Sequence, residues 1–200
     1  MVKFNIHSIP TKAYKVTTNS DHSRSIAPNL IARNFNPPFS NMIWVGDITY
    51  IKTAQGWLYL AIVKDLCIKK IVGYSFSNRI DSKLVCEALK MAINRQNPTV
   101  NLIFQSDRGS QYSSYDFRKL LSVNHIKQSM SRKGNPYDNA VAENFFSCLK
   151  CEFTFFKEFR TRREAKTAIF RYIEAYYNLI RPHSSLGWLS PFVFEHSFKI

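Results

Sequence analysis

The apolar positions change period several times along the chain, and each change marks an element. From Met42, a run rich in β-branched and aromatic residues, Ile43-Trp44-Val45-Gly46-Asp47-Ile48-Thr49-Tyr50-Ile51, predicts a strand. Gln55-Gly56 turns it back into a second strand, Trp57 to Val63, and Lys70 to Phe76 supplies a third, so the three predict an antiparallel meander. Apolar residues at helical spacing follow (Leu84, Val85, Ala88, Leu89, Ala92, Ile93), with Asp81 or Ser82 as the cap and Asn97-Pro98 as the stop. Val100 to Phe104 predicts a short buried strand that ends in the polar loop Gln105-Ser106-Asp107-Arg108-Gly109. A helix over 114–123, a strand over Ile126 to Met130, a helix opened by Asn135-Pro136 and running to about Glu152, and a long helix from about Thr161 to Leu179 complete the pattern. Residues 1–40 show no sustained period and read as a basic, extended arm; 41–180 read as one core including the long final helix, and 181–200 as an irregular tail.

Three strands, helix, strand, helix, strand, helix is an α/β order, in which a meander feeds a mixed five-stranded sheet flanked by helices. The ribonuclease H-like fold has this order. Composition adds that 45% of the 200 residues are hydrophobic and 14% aromatic, enough for one core and against wholesale disorder. Trp44, Trp57, Tyr59 and Phe104 are expected in that core. No apolar run reaches the roughly 18 residues of a membrane span and no signal-peptide core opens the chain, so a soluble, cytoplasmic protein is expected. Four cysteines (Cys67, Cys86, Cys148, Cys151) are too sparse for a disulfide framework; Cys148 and Cys151 have zinc-like spacing without a second pair, and zinc is not expected. Charge changes the picture most: 28 Lys and Arg against 14 Asp and Glu give a net +14 and call for a polyanionic partner, nucleic acid first. A ribosomal or membrane-surface role fits the charge equally well.

On such a chain the carboxylates are the informative minority, because phosphate chemistry needs oxygen ligands for a divalent cation. Asp47 lies in mid-strand, where a buried charge asks for a partner or a metal. Asp107 follows directly on a buried strand, where α/β sheets expose their sites. Glu143 lies on the helix opened at Asn135-Pro136, with 35 residues between it and Asp107. Two Asp and a Glu from a strand, a strand end and a helix can hold two Mg²⁺ ions roughly 4 Å apart for an in-line phosphoryl transfer, and oxygen ligands favour Mg²⁺ or Mn²⁺ over zinc. Asp65 competes with Asp47 for the role, but is expected at a strand end where a solvated carboxylate costs little.

Around these residues stand long ordered blocks: Trp44-x-x-Asp47-Ile48-Thr49-Tyr50; Ser106-Asp107-Arg108-Gly109-Ser110-Gln111-Tyr112; Ser129 to Glu143, containing Lys133-Gly134-Asn135-Pro136-Tyr137-Asp138-Asn139; and Tyr177-Asn178-x-x-Arg181-Pro182-His183. Over about residues 27–195 the chain resembles the bacterial transposases of the insertion sequence 3 family, catalytic reading frame B, within the retroviral-integrase superfamily of the Asp, Asp, 35-residue gap, Glu signature. The resemblance implies a ribonuclease H-like integrase catalytic core in which Asp47, Asp107 and Glu143 hold two Mg²⁺ (or Mn²⁺) ions, with water and then a DNA 3′-hydroxyl attacking phosphodiesters at the element ends and target. It also implies that Lys150, two helical turns beyond Glu143, contacts terminal DNA, and that the protein acts as a homo-oligomer on DNA in the nucleoid. Arg108, Arg132 and Lys133 are further candidates for phosphate contacts, and Arg162 and Arg163 for a DNA-backbone face within the basic stretch 157–171. Arg181 and His183 are expected to close the last helix.

Two positions depart from the pattern. Gln105 stands where relatives commonly have His, and residues 1–40 hold no convincing helix-turn-helix to read terminal repeats. An N-terminally short chain that relies on a separately encoded or frameshift-fused helix-turn-helix protein is therefore expected. A ribonuclease H-like nuclease and a truncated, inactive remnant that only binds DNA are the alternatives.

Overall fold

The computed structural model describes residues 26–32, 34–98, 101–132 and 140–197, with the backbone alone for 140–142. Three antiparallel strands come first: β1 (Ile43–Thr53), β2 (Gly56–Asp65) and β3 (Ile71–Ser77). Two parallel strands, β4 (Ile103–Ser106) and β5 (Lys127–Met130), extend the sheet on the other side of β1, in the order β3-β2-β1-β4-β5. The mixed five-stranded sheet expected from the sequence is present. β1 is buried along nearly its whole length, as a central strand covered on both faces must be, and this is why its run is continuously apolar rather than alternating.

Helix α1 (Ser82–Gln96) and helix α2 (Tyr115–Val123) cover one face, packing Leu84, Val85, Leu89, Phe117 and Leu121 against Trp44, Ile48, Ala61 and Val63. Each starts on a side-chain cap expected from its sequence: Asp81 accepts from the Leu84 N–H and Ser114 from the Phe117 N–H. α1 ends on Asn97 in the left-handed conformation, just before Pro98. On the opposite face lie helix α3 (Ala140–Leu149) and helix α4 (Arg162–Arg171), whose Phe145, Leu149, Ala165 and Ile169 meet Ile51, Leu58, Leu60 and Ile62. Both run on into wider π-helical turns, Lys150–Thr154 and Tyr172–Tyr177, so the long final helix is not uniformly α-helical. Glu152 in the first of these turns joins the two by accepting from the Tyr172 hydroxyl and pairing with Arg181.

Several expectations are corrected. β4 begins at Ile103, later than expected, while Val100 and the Asn135-Pro136 start of α3 lie outside the described residues. The tail is not irregular throughout: it holds a single turn at Ser184–Leu186 and a short helix, α5 (Pro191–Ser197), opened by proline and the Ser190 hydroxyl. Trp57 is 44% exposed, edge-on to Tyr50, and Tyr59 is only partly buried, because they alternate with Leu58, which faces α4, and so lie on the other face of the hairpin end. Asp65 is fully buried rather than solvated. Its carboxylate accepts from the backbone N–H groups of Asn41, Cys67 and Ile68 and from the Trp44 indole, locking the β2–β3 turn to the start of β1. The described part of the arm is pinned as well, with Ile31 buried against Ile43, Val45 and Leu66 and the Leu30 N–H donating to Ser129.

β3 and α1 approach closely at Gly73, where a Cβ would stand 2.3 Å from the Ala88 carbonyl oxygen and 2.7 Å from the Ala92 nitrogen of α1. Backbone cannot step aside as a side chain can, so Gly73→Ala is expected to lower stability by about 3 kcal/mol. Gly187→Ala, which meets open space at a positive φ of 63°, should lower it by only about 1 kcal/mol. Denaturant midpoints of the two variants check the difference, and equal losses would contradict this packing.

Candidate active site

β4 pairs with β1 only over Ile43–Val45, so among the described residues β1 has no strand neighbour on that side from Asp47 until Thr53 bridges to Phe159. This gap in the sheet is where the candidate residues gather. Val45 stands opposite Gln105, and Asp47 on β1 and Asp107 just past the end of β4 each lie two residues further on, so the chain brings both to the same end of the β1–β4 pairing. Asp47 is buried, and its Oδ1 accepts from the Ile48 N–H at 2.8 Å. Asp107 Oδ1 accepts from the Gly109 N–H at 2.9 Å, a turn that fixes the loop leaving β4. Both carboxylates act on the buried Tyr112 hydroxyl, which burial and these two charges together hold well above the ordinary tyrosine range.

Helix α3 packs on the Asp47 face of the sheet and carries Glu143 in its first turn. The structure brings Asp47 and Asp107 together but does not group Glu143 with them, since among the described residues no three His, Cys, Asp or Glu side chains stand close enough to hold a metal ion. Lys150 is brought to the pair. Its ammonium lies 5.2 Å from the centre of the Tyr50 ring, and burial pulls its pKa down while the Asp47 carboxylate pulls it back up.

The other candidates divide. Arg108 donates from Nε to the Ser131 carbonyl at 2.8 Å, tying the Asp107 loop to the end of β5, and Arg132 is exposed next to it. Lys133 lies outside the described residues. Arg162 is away from the aspartates, at the β1–β2 turn, where it donates to the Trp57 carbonyl at 3.1 Å; with Lys83 and Lys166 it lines a cavity of about 430 Å³. Arg163 is exposed beside it. Gln105 is buried and donates to the Ser131 hydroxyl at 3.1 Å, an anchor between β4 and β5 rather than a group in the cleft.

Three polar atoms here are buried without a hydrogen-bond partner among the described residues: Tyr112 Oη, Gln111 Oε1 and Gln105 Oε1. Of these, Tyr112 Oη lies within electrostatic reach of both aspartates, and the two carboxylates beside it supply the oxygen-donor chemistry that suits a hard divalent cation and its waters.

The sequence matches the integrase core domain family over residues 38–136, and a second integrase core domain family over 124–191. It is 45% identical over 187 residues to a 31 kDa protein of insertion element IS600 from Shigella sonnei, covering 94% of this chain and 69% of that protein. The chain belongs to the insertion sequence 3 family of transposases. It is 42% identical over 175 residues to the transposase InsF of insertion sequence IS3A from Escherichia coli, covering 88% of this chain and 61% of the relative. The transposase core thus spans roughly two thirds of the length of such relatives. In fold it is similar to retroviral integrases at low identity. A simian T-cell lymphotropic virus intasome chain matches with a TM-score of 0.68 at 18% identity, covering 92% of this chain and 62% of that one. An HTLV-2 integrase catalytic core in complex with magnesium matches with a TM-score of 0.55 at 18% identity, covering 74% and 92%. The ribonuclease H-like integrase architecture expected from the sequence is confirmed. No helix among the described residues is long and apolar enough to cross a membrane.

One feature of the transposase core carried no sequence signal. Lys64 lies on the Asp47 face of β2, where Val45 is its strand partner, and is 2% exposed. Its ammonium is 5.8 Å from the centre of the Tyr177 ring, and burial, with Lys69 and Arg181 nearby, lowers its pKa to about 7. His183 is packed edge-on against Tyr177 and lowered to about 4, by burial first and then by Lys64 and Arg181. A lysine whose folded pKa is about 7 against an ordinary 10.5 leaves the unfolded chain binding the extra proton between those values. Stability therefore rises with pH above 7. The unfolding temperature is expected to climb by several degrees from pH 7 to 9, and Lys64→Met to raise it at pH 7 and flatten the climb. A pH-independent wild type in thermal unfolding would show that Lys64 is not buried as a charge-averse group.

Proposed function

We propose that the chain is the catalytic part of a DNA transposase that cuts and joins strands at insertion-sequence ends by phosphoryl transfer. The observation that supports this reading is that Asp47 and Asp107 both reach the Tyr112 hydroxyl electrostatically where β4 ends, with Lys150 within the same kind of reach of Asp47. Asp47 and Asp107 are the residues that would hold Mg²⁺ or Mn²⁺, two ions once Glu143, carried by α3 over the Asp47 face and not grouped with them here, is drawn in as the third ligand; the magnesium-bound HTLV-2 core of the same fold supports that choice. When bound, such ions polarise the phosphodiester and activate the attacking water or 3′-hydroxyl.

The chain's own groups do the rest. The Ile48 and Gly109 N–H groups each hold one oxygen of an aspartate and so set the orientation of both carboxylates. Lys150, close to Asp47 yet cationic, is placed to hold a DNA phosphate at the reacting end. Arg108, anchored on Ser131, keeps the Asp107 loop in register with β5 and lends its charge to the same groove, with the exposed Arg132 next to its anchor; Lys133, outside the described residues, is a further candidate for phosphate contact on its sequence position alone. Arg162 and Arg163, remote from the aspartates, serve backbone further along the DNA. Residues 1–40 form a basic arm, 41–180 the catalytic core and 181–200 a tail docked on it. A helix-turn-helix protein, encoded separately or fused by frameshifting, supplies recognition of the terminal repeats, and the assembly works as a homo-oligomer on the nucleoid; HTLV-2 cores of this fold occur in dimeric and trimeric forms.

In a nicking and strand-transfer assay on element-end DNA with Mg²⁺ or Mn²⁺, and with the helix-turn-helix partner added, Asp47→Asn, Asp107→Asn and Glu143→Gln are each expected to lower the rate by at least about 10³-fold. Activity surviving all three would overturn the assignment, and preferential cleavage of an RNA–DNA hybrid would replace it with a nuclease. Arg162→Ala together with Arg163→Ala is expected to weaken DNA binding irrespective of sequence and to reduce its salt dependence by about one unit of slope for each phosphate no longer neutralised. Unchanged binding in a salt titration would leave Arg162 as a clasp on the β1–β2 turn alone.

A further inference from the structure

Resting on the two-aspartate reading above, we propose that Tyr112 is a positioning residue of the site, whose buried hydroxyl donates a hydrogen bond to the Asp47–Asp107 carboxylate pair when those carboxylates turn toward a divalent cation. Its ring is held firmly. Tyr112 is 1% exposed, edge-on to Phe117 at 5.3 Å and tilted against Phe104 at 6.2 Å, with its own N–H bonded to the Gly109 carbonyl and its carbonyl accepting from the Gln128 amide. A phenylalanine would fill that aromatic cluster equally well, so packing does not explain the hydroxyl.

The hydroxyl has no partner among the described residues, although a buried O–H ordinarily finds one. The ring edge nearest it passes over Gly46, the residue before Asp47: a Cβ there would lie 3.3 Å from Tyr112 Cε1. The same Cβ would collide first with Phe104 Cζ, at 2.4 Å, so glycine is what lets this aromatic cluster close over β1. The other two unpartnered polar atoms of residues 105–112, Gln105 Oε1 and Gln111 Oε1, are both acceptors, so the single donor among them is the Tyr112 O–H. Burial and both aspartates keep it protonated and hence a donor. A carboxylate that gives one oxygen to a cation and receives a donor on its remaining lone pairs is held in its binding orientation, and loss of such a donor typically costs about 10- to 100-fold in metal affinity.

The test is a Mn²⁺ titration of the full chain by calorimetry, with thermal unfolding in a chelator alongside. Tyr112→Phe is expected to weaken Mn²⁺ binding by about tenfold while leaving the metal-free unfolding temperature unchanged or higher, because it deletes an unsatisfied buried hydroxyl. Phe117→Leu, which disturbs the same aromatic cluster without touching the hydroxyl, is expected to lower the unfolding temperature with Mn²⁺ affinity kept within about twofold of wild type. Wild-type affinity in Tyr112→Phe, or a fall in its metal-free stability matching that of Phe117→Leu, overturns the proposal. If instead Asp47→Asn and Asp107→Asn bind Mn²⁺ as wild type does, the two-aspartate reading itself fails and takes the proposal with it.

Discussion

Two carboxylates brought to the same end of a pair of parallel strands repel each other, and burying Asp47 removes the water that would screen them. Much of the local structure answers that repulsion. The Ile48 and Gly109 N–H groups each take one aspartate oxygen, and the Lys150 ammonium comes within electrostatic reach of Asp47. Two carboxylates oriented in this way supply the oxygen donors that a hard divalent cation prefers, and binding of such a cation offsets the cost of bringing like charges together.

The sheet provides the place. If β4 continued alongside β1 past Val45, Asp47 would be hemmed in by a strand; because β4 stops at Ser106, the chain instead turns at Gly109 and feeds Tyr112 back against Gly46. The same gap admits Lys150 from the end of α3. That helix keeps α-helical pitch while Phe145 and Leu149 pack on the sheet and widens to a π turn from Lys150, which re-aims the residues beyond it toward Tyr50, Tyr172 and Arg181.

Much of this was legible in the sequence, and the reasons differ by residue. Asp47 stood out because a charge inside a β-branched run contradicts its surroundings, and Asp107 because a polar loop broke a buried strand; both signals are local. Trp57 misled because an aromatic residue in a strand reads as core, whereas exposure there depends on which face of the hairpin end is covered. Asp65 misled in the opposite sense: its four donors come from Asn41, Trp44, Cys67 and Ile68, and only the fold shows that they converge. Lys64 and the Tyr112 hydroxyl left no trace in periodicity, since one reads as an ordinary strand-end lysine and the other as a core ring. π-helical turns likewise cannot be told from α-helix by apolar spacing alone.

The net charge of +14 suggests a uniformly cationic molecule, yet the fold separates its charges by task. Lys64 is buried beside Lys69 and Arg181, and its lowered pKa lets it shed its proton near neutrality, so it adds little field at the cleft. Arg181 is committed to Glu152. Arg108 gives part of its hydrogen-bonding capacity to the Ser131 carbonyl. Near the aspartates stand Lys150, within electrostatic reach of Asp47, and Arg108, next in sequence to Asp107, while exposed basic residues such as Arg163 lie on α4, whose start meets the β1–β2 turn. A phosphate backbone attracted by the basic surface would be guided toward two carboxylates whose own charge opposes it. A divalent cation at Asp47 and Asp107 reverses that last step, so binding of DNA in the cleft and binding of the cation are expected to favour one another, the basic surface alone sufficing for neither.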